Sequence, residues 1–293
     1  MNKKSLLTIL EEKIIHLEGQ LELFFSDLEI NFESRHQGNI YAVGRPEYTY
    51  AKLSIQQEKN QILFDKEYKE IIENIDRLID STTDKIQNNY IDIQKEFEIW
   101  LYLGSNHYIT SDKEQNSIEF KKCTKKFYDL LFLLQTNEEI ILIPDTNALL
   151  IEQEPNEFKQ LIDRDEFTFL LLPTVISELD DIKDKSTESS RKEKAKKMIK
   201  RIKGWKTQGK ITQGIIINKT ITLKAEVGKP LENYLPSWLD LSNNDDKILA
   251  YILNIQKKSP SAIIILVTRD INMQNKAEIL NIEYIDIDLK EQK

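Results

Sequence analysis

Three short apolar runs constrain this chain more than any other feature: residues 140–143 (Ile-Ile-Leu-Ile), 167–172 (Phe-Thr-Phe-Leu-Leu-Leu) and 262–267 (Ala-Ile-Ile-Ile-Leu-Val). Strands that stay apolar at successive positions are buried on both faces, as in a parallel sheet covered by helices. The first run ends at Pro144, which cannot donate to a sheet ladder and so belongs at a strand end. Asp145 follows, then Asn147, and Ala148, Leu149 and Leu150 open a helix. The second run ends at Pro173 and leads into a helix carrying Glu178. The third leads through Thr268 and Arg269 to Asp270, with Asn272 just beyond and a helix starting near Gln274. In open α/β sheets, ligands sit in the crevice beyond the carboxyl ends of the strands. A further helix opens at Asn243-Asn244-Asp245-Asp246. Short strands are expected at 215–217 and 221–223, and an edge strand at 283–287.

Each acid has a local explanation as a helix cap or first-turn residue. Their repetition asks for more. Carboxylates converging at one sheet edge repel unless a cation neutralises them. With oxygen ligands only, a single cysteine (Cys123) and three scattered histidines (His16, His36, His107), the cation is Mg²⁺ or Mn²⁺ and not Zn²⁺. Two such ions would lie about 3.5–4 Å apart and clamp an in-line phosphoryl displacement.

The remaining features bound the setting. A chain of 293 residues fits about two domains. A net charge of −8 argues against an overall basic coat, yet residues 183–210 are strongly basic, with Arg191, Lys194, Lys197 and Arg201 among them. Such a block is a candidate contact for a phosphate backbone. One face of the same helix, with Ala195, Met198, Ile199 and Ile202, turns inward. The lone cysteine suits a reducing cytoplasm. No run approaches the ~20 apolar residues of a spanning helix, so no membrane is expected. The N-terminal apolar stretch is cut short by Glu11 and Glu12 and reads as the start of an amphipathic helix.

Residues 1–118 read as a helical bundle or hairpin domain, and 119–293 as the α/β domain. Residues 5–30 carry helical apolar spacing, and 56–103 read as one or two long helices with a break at Ser81-Thr82-Thr83. Between them, Tyr41, Tyr48 and Tyr50 lie near Arg35 and Arg45; they can stack bases or cover the edge of a core. Residues 104–118 read as a polar linker and 119–135 as a helix. The first domain carries no metal-ligand spacing, phosphate loop or nucleophile motif, so its expected role is docking, to a protein partner or to a second copy.

Residues 140–287 resemble a PIN domain, a metal-dependent ribonuclease fold. The resemblance rests on four motifs in order: Asp145-Thr146-Asn147, Pro173 through Glu178-Leu179-Asp180, Asn244-Asp245-Asp246-Lys247, and Thr268-Arg269-Asp270-Ile271-Asn272. Arg191 and Ala195, and Lys276-Ala277, fit larger members. The resemblance implies an α/β/α sandwich with a central parallel sheet. It further implies that Asp145, Glu178, Asp245 and Asp270 bind Mg²⁺ or Mn²⁺, with Asp246 as the alternative to Asp245. Asn147 would support Asp145 by a hydrogen bond, and Thr268 and Asn272 would orient Asp270 or the scissile phosphate. The implied activity is endonucleolytic cleavage of single-stranded or loop RNA by metal-activated water, in a toxin, a defence effector or an RNA-processing enzyme. The competing expectations are a catalytically inactive PIN-like scaffold acting through its helical domain, and an Asp-based phosphotransfer enzyme. The latter's second aspartate is replaced here by Asn147.

Overall fold

A computed structural model describes residues 3–33, 47–80, 82–103, 109–232 and 235–287. Its contacts divide the chain into two units, Leu7–Gln135 and Met1–Leu6 with Thr136–Lys293.

The first unit holds α1 (Leu6–Asp27), the antiparallel pair β1 (Ile30–Glu33) and β2 (Glu47–Tyr50), α2 (Ile55–Ile79), α3 (Asp84–Leu101) and α4 (Lys113–Leu133). The break expected near residue 82 separates α2 from α3, and the backbone N–H of Thr82 closes a turn on the Ile79 carbonyl. Phe120 of α4 is fully buried at the centre of an aromatic cluster. Its ring lies 5.1 Å from Phe25 and 5.8 Å from both Phe97 and Trp100. Such pairs each add about 0.5–1.5 kcal/mol beyond burial.

Two sequence expectations change here. The segment 104–118 is not wholly a linker: α4 starts at Lys113, where the Asp112 carboxylate accepts from the backbone N–H groups of Glu114 and Gln115. Because α4 packs on α3 through Phe120 and Phe127, the division falls after Gln135, inside neither helix, where the sequence reading put it at 118/119. Tyr50 stacks on Phe25 at 6.1 Å, the core-edge reading of that tyrosine. Arg35, His36, Tyr41, Arg45 and His107 lie outside the described residues.

The second unit contains β3 (Ile140–Pro144), α5 (Thr146–Ile151), a 3-10 turn (Pro155–Phe158), α6 (Lys159–Ile162), β4 (Phe167–Leu171), α7 (Pro173–Lys185), α8 (Ser189–Lys206), β5 (Ile215–Ile217), β6 (Ile221–Ala225), α9 (Asn244–Lys258), β7 (Ile263–Val267), α10 (Ile271–Ile279) and β8 (Glu283–Ile285). The strands form one six-stranded sheet in the order β5-β6-β4-β3-β7-β8. All neighbours are parallel except β5 and β6. Leu142, Ile143, Phe169, Leu171, Leu266 and Val267 are completely buried, as the unbroken apolar runs require. Pro173 begins α7 instead of ending β4. A proline's missing N–H costs nothing in the first helical turn.

The path of the chain positions the site. From β3 it winds outward through β4 to β6, then α9 carries it back to β7 on the other side of β3. The direction of winding therefore reverses between β3 and β7, the topological switch point at which open sheets bind ligands. Asp145 follows one of these strands and Thr268–Asp270 the other. Register holds the two ends level: Pro144 pairs with Val267, and the Asp145 N–H donates to the Val267 carbonyl at 3.0 Å.

Candidate active site

Asp145 is the N-cap of α5, with β-region backbone and 3% exposure. Its Oδ1 accepts from the Ala148 N–H at 2.6 Å, and its Oδ2 accepts from the Thr268 hydroxyl at 2.6 Å. Burial pushes its carboxyl up to about 6. The bonds from Thr268 and Ala148 oppose that rise, and the negative charges of Asp245 and Glu178 add to it. Thr268 is itself fully buried, and its oxygen also accepts from the Asp270 N–H at 3.0 Å. One hydroxyl thus fixes the first acid and the backbone of the last.

Asp270 caps α10. A single oxygen, Oδ1, takes both the Asn272 N–H (2.8 Å) and the Met273 N–H (3.0 Å). Glu178 stands on α7, half-buried. Its Oε2 accepts from the Thr146 hydroxyl and its Oε1 from the Asn244 side-chain amide at 2.7 Å.

The adjacent acids on α9 have separate surroundings. Asn243 is the N-cap, accepting from the N–H groups of both. Asp246 is 3% exposed; its Oδ2 accepts from the Asp240 N–H at 2.9 Å and its Oδ1 from the Lys276 ammonium. Asp245 is half-buried, and among the described residues no donor reaches its carboxylate. Burial raises its pKa, as do the charges of Asp270 and Glu178, while Lys276 lowers it. Asp245 thus shares a field of like charge with Asp145, Glu178 and Asp270 as well as with its neighbour Asp246. Asp246 is turned the other way, into a buried ion pair.

Among the described residues, no three carboxylate, His or Cys side chains are already drawn into a metal cage. The donor set nonetheless fits a hard divalent cation. It consists of carboxylate oxygens only, and two of the four carboxylates are held above their ordinary pKa in part by one another. A bound cation removes that mutual penalty.

The supporting residues read from the sequence fall in several places. Asn147 does not bond Asp145. It is exposed at the second position of α5, and its amide oxygen accepts from Arg191 Nη2 at 3.2 Å. The physical reason is local: an N-cap carboxylate is met by the N–H three residues on, here that of Ala148, and of the two residues between, Thr146 turns inward to Glu178 and Asn147 outward to Arg191. Asn272 is exposed and gives Asp270 its backbone N–H. Arg191 and Lys194 line a groove of about 460 Å³ together with Asn147, Arg269 and Asp270. Lys197 is exposed on the same helix. Arg201 is engaged elsewhere, paired with Glu154 and donating to the Gln153 carbonyl at 2.8 Å. Sequence reasoning missed Thr146 and Asn244 as the donors that hold Glu178. The signal was present, since both stand next to an acid of the set.

Residues 142–288 match the family model of the PIN domain. The chain belongs to that family. PIN domains are generally nucleases. Comparison with curated proteins found no match. No helix among the described residues is long and apolar enough to cross a membrane.

Proposed function

We propose that this PIN domain is a Mg²⁺- or Mn²⁺-dependent endoribonuclease acting on single-stranded RNA or exposed RNA loops. The observation that carries the reading is geometric: Thr268 bonds both Asp145 and the Asp270 N–H, and Thr146 and Asn244, the neighbours of Asp145 and Asp245, both donate to Glu178, which draws these four acids together beyond the ends of β3, β4 and β7. These four side chains hold the ion, and Asp246, spent on Lys276, does not. When bound, the ion supplies charge neutralisation and Lewis acidity at phosphorus.

The rest of the chemistry belongs to the chain. Thr268 and the Ala148 N–H aim Asp145, and Thr146 and Asn244 aim Glu178. Preorganisation of this kind removes the cost of assembling the site at the moment of reaction. Arg191 and Lys194 contact backbone phosphates in the groove beside Asp270, and Lys197 extends that contact along α8. The helical unit serves as a docking element for a protein partner or a second copy. Cytoplasmic toxins, defence effectors and RNA-processing enzymes all employ such an activity.

The deciding experiment is incubation of end-labelled single-stranded RNA with the full chain and Mn²⁺. Internal cleavage is expected, abolished both by chelator and by Asp145→Asn. Intact RNA under all conditions refutes the proposal. Release of phosphate from monoesters in its place favours the Asp-based phosphotransfer reading.

A further inference from the structure

A second groove, of about 590 Å³, also borders the acids and shares no lining residue with the basic one. It runs between α7 and α9 and is closed by the loop around Gly228–Glu232. Its volume lies in the ~300–1,000 Å³ range of small-ligand sites. Two of its lining residues, Glu178 and Asn244, belong to the acidic site itself, whereas the basic groove touches that site through Asp270 and Asn147. The acidic set therefore borders both grooves, one through Asp270 and the other through Glu178, and a polymer cut at the acids extends away from them in two directions.

The two grooves differ in chemistry. The first offers Arg191, Lys194 and Arg269, which suit phosphates and carry no sequence information. The second mixes apolar surface from Pro173, Pro230 and Leu241 with polar groups of both signs, Lys229 and Lys247 against Asp181 and Glu232, and the Ser177 hydroxyl. A nucleobase needs that combination: a face to lie against and edge groups to read. The walls are fixed in place. Gly228 has φ +87°, a conformation that favours glycine, and its carbonyl accepts from the Tyr251 hydroxyl at 2.7 Å. Lys247 reaches Asn244 at 3.4 Å, and Asn244 in turn holds Glu178, so this cation of the groove is linked through one amide to a site acid.

We infer that the α7–α9 groove is a nucleotide seat next to the cleaved phosphodiester. Lys247 meets the phosphate, the proline and leucine surfaces meet the base, and Ser177 and Glu232 read its edge. The groove then sets which nucleotide lies beside the cut, while the α8 groove sets affinity without regard to sequence. The inference rests on the endoribonuclease reading, and two assays separate its failure from that one.

The first assay is metal-free. The binding of the four nucleoside monophosphates, as 5′ and 3′ isomers, is measured by calorimetry on the full chain and on Ser177→Leu, which fills the groove, and Lys247→Ala. The wild type is expected to bind at least one of them. Each variant should weaken binding by about tenfold or more, the effect of losing a charge-assisted contact or the space for it, while melting like the wild type. The second assay maps cut ends in a random-sequence RNA pool with Mn²⁺. A nucleotide preference at one position beside the cut is expected, flattened in both variants and retained in Arg191→Ala. Nucleotide binding that both substitutions weaken, without RNA cleavage, supports the groove as a nucleotide site and overturns the nuclease reading. Cleavage with a preference, or a monophosphate affinity, indifferent to both substitutions overturns the seat and leaves the nuclease reading standing.

Discussion

Replacing Asp145 with asparagine should stabilise the metal-free protein while destroying its activity. The carboxylate is almost wholly buried, and its pKa rises from 3.8 to about 6, first through that burial. A rise of that size corresponds to about 3 kcal/mol against the ionised form, at 1.36 kcal/mol per pKa unit. In the unfolded chain the group gives up its proton near 3.8, and in the folded chain near 6. Between those values the folded state binds more protons, so stability falls as pH rises through the window and the full cost remains above it. Asparagine carries no charge at any of these pH values and is as good an N-cap, so the Ala148 N–H keeps its acceptor. Thr268 can accept from the new amide and turn its own hydrogen toward Met273 Sδ, 3.8 Å away.

The assay is thermal unfolding of both proteins in chelator between pH 4 and pH 8. At pH 7.5 the variant should be more stable by up to about 3 kcal/mol, at about 2–4 °C in Tm per kcal/mol for a unit of this size. The gain should vanish near pH 4, where the wild-type carboxyl is protonated. Mn²⁺ at a hundred times its Kd should add about 2.7 kcal/mol to the wild type and clearly less to the variant. A variant that melts at or below the wild-type temperature at pH 7.5 in chelator, or a gain that does not change with pH, would refute the argument.

Three further outcomes are expected. Thr146→Val and Thr268→Val, each removing one hydroxyl that holds a site acid, should lower the cleavage rate by about 10–100-fold in folded protein; undiminished initial rates would exclude the positioning roles. Lys276→Met leaves Asp246, with 4% of its side chain exposed, without its cation. The loss should lie toward the lower end of the ~3–5 kcal/mol range for a broken buried pair, because a third of the lysine side chain meets solvent; denaturant melts that superimpose on the wild type would contradict this. Arg191→Ala should reduce the slope of log affinity against log salt on single-stranded RNA by about 0.7, whereas Arg201→Ala should lower the melting temperature through loss of the Glu154 and Gln153 contacts and leave the slope unchanged. The reverse pattern would mean that α8 faces RNA through its other side.

The sheet was legible in the sequence because its central strands are buried on both faces, a condition that only long apolar runs such as 262–267 satisfy. The outer strands were found with mixed precision: β5 matches its expected span of 215–217, β6 runs on to Ala225 where 223 was expected, and the edge strand expected over 283–287 spans Glu283–Ile285. The start of α4 was obscured for a different reason. Its first turn is polar because it faces solvent, and Asp112, the residue that caps it, reads equally well as part of a linker. The choice between Asp245 and Asp246 lay beyond sequence alone. Neighbours on a helix differ by about 100° in direction, and which one faces the other acids depends on where Lys276, thirty positions away on α10, comes to rest.

The capping explanation and the metal explanation of these acids are not rivals. A carboxylate has two oxygens, and at Asp270 a single one satisfies both N–H groups at the start of α10. The helix is thereby anchored to the strand end, and the second oxygen is delivered to the rim with its direction fixed. Asp145 does the same through Ala148, with its second oxygen on a hydroxyl that can rotate. On α9 the two tasks are divided between residues: Asn243 caps, which leaves Asp245 without a donor in a field of like charge. A protein selected for stability alone has no reason to keep a buried carboxylate at position 145, since an asparagine cap would serve its helix as well at lower cost. On the proposed reading, the strand–acid–helix repeat is one structural device that anchors helices and, at the switch point of the sheet, would hold charge for a cation.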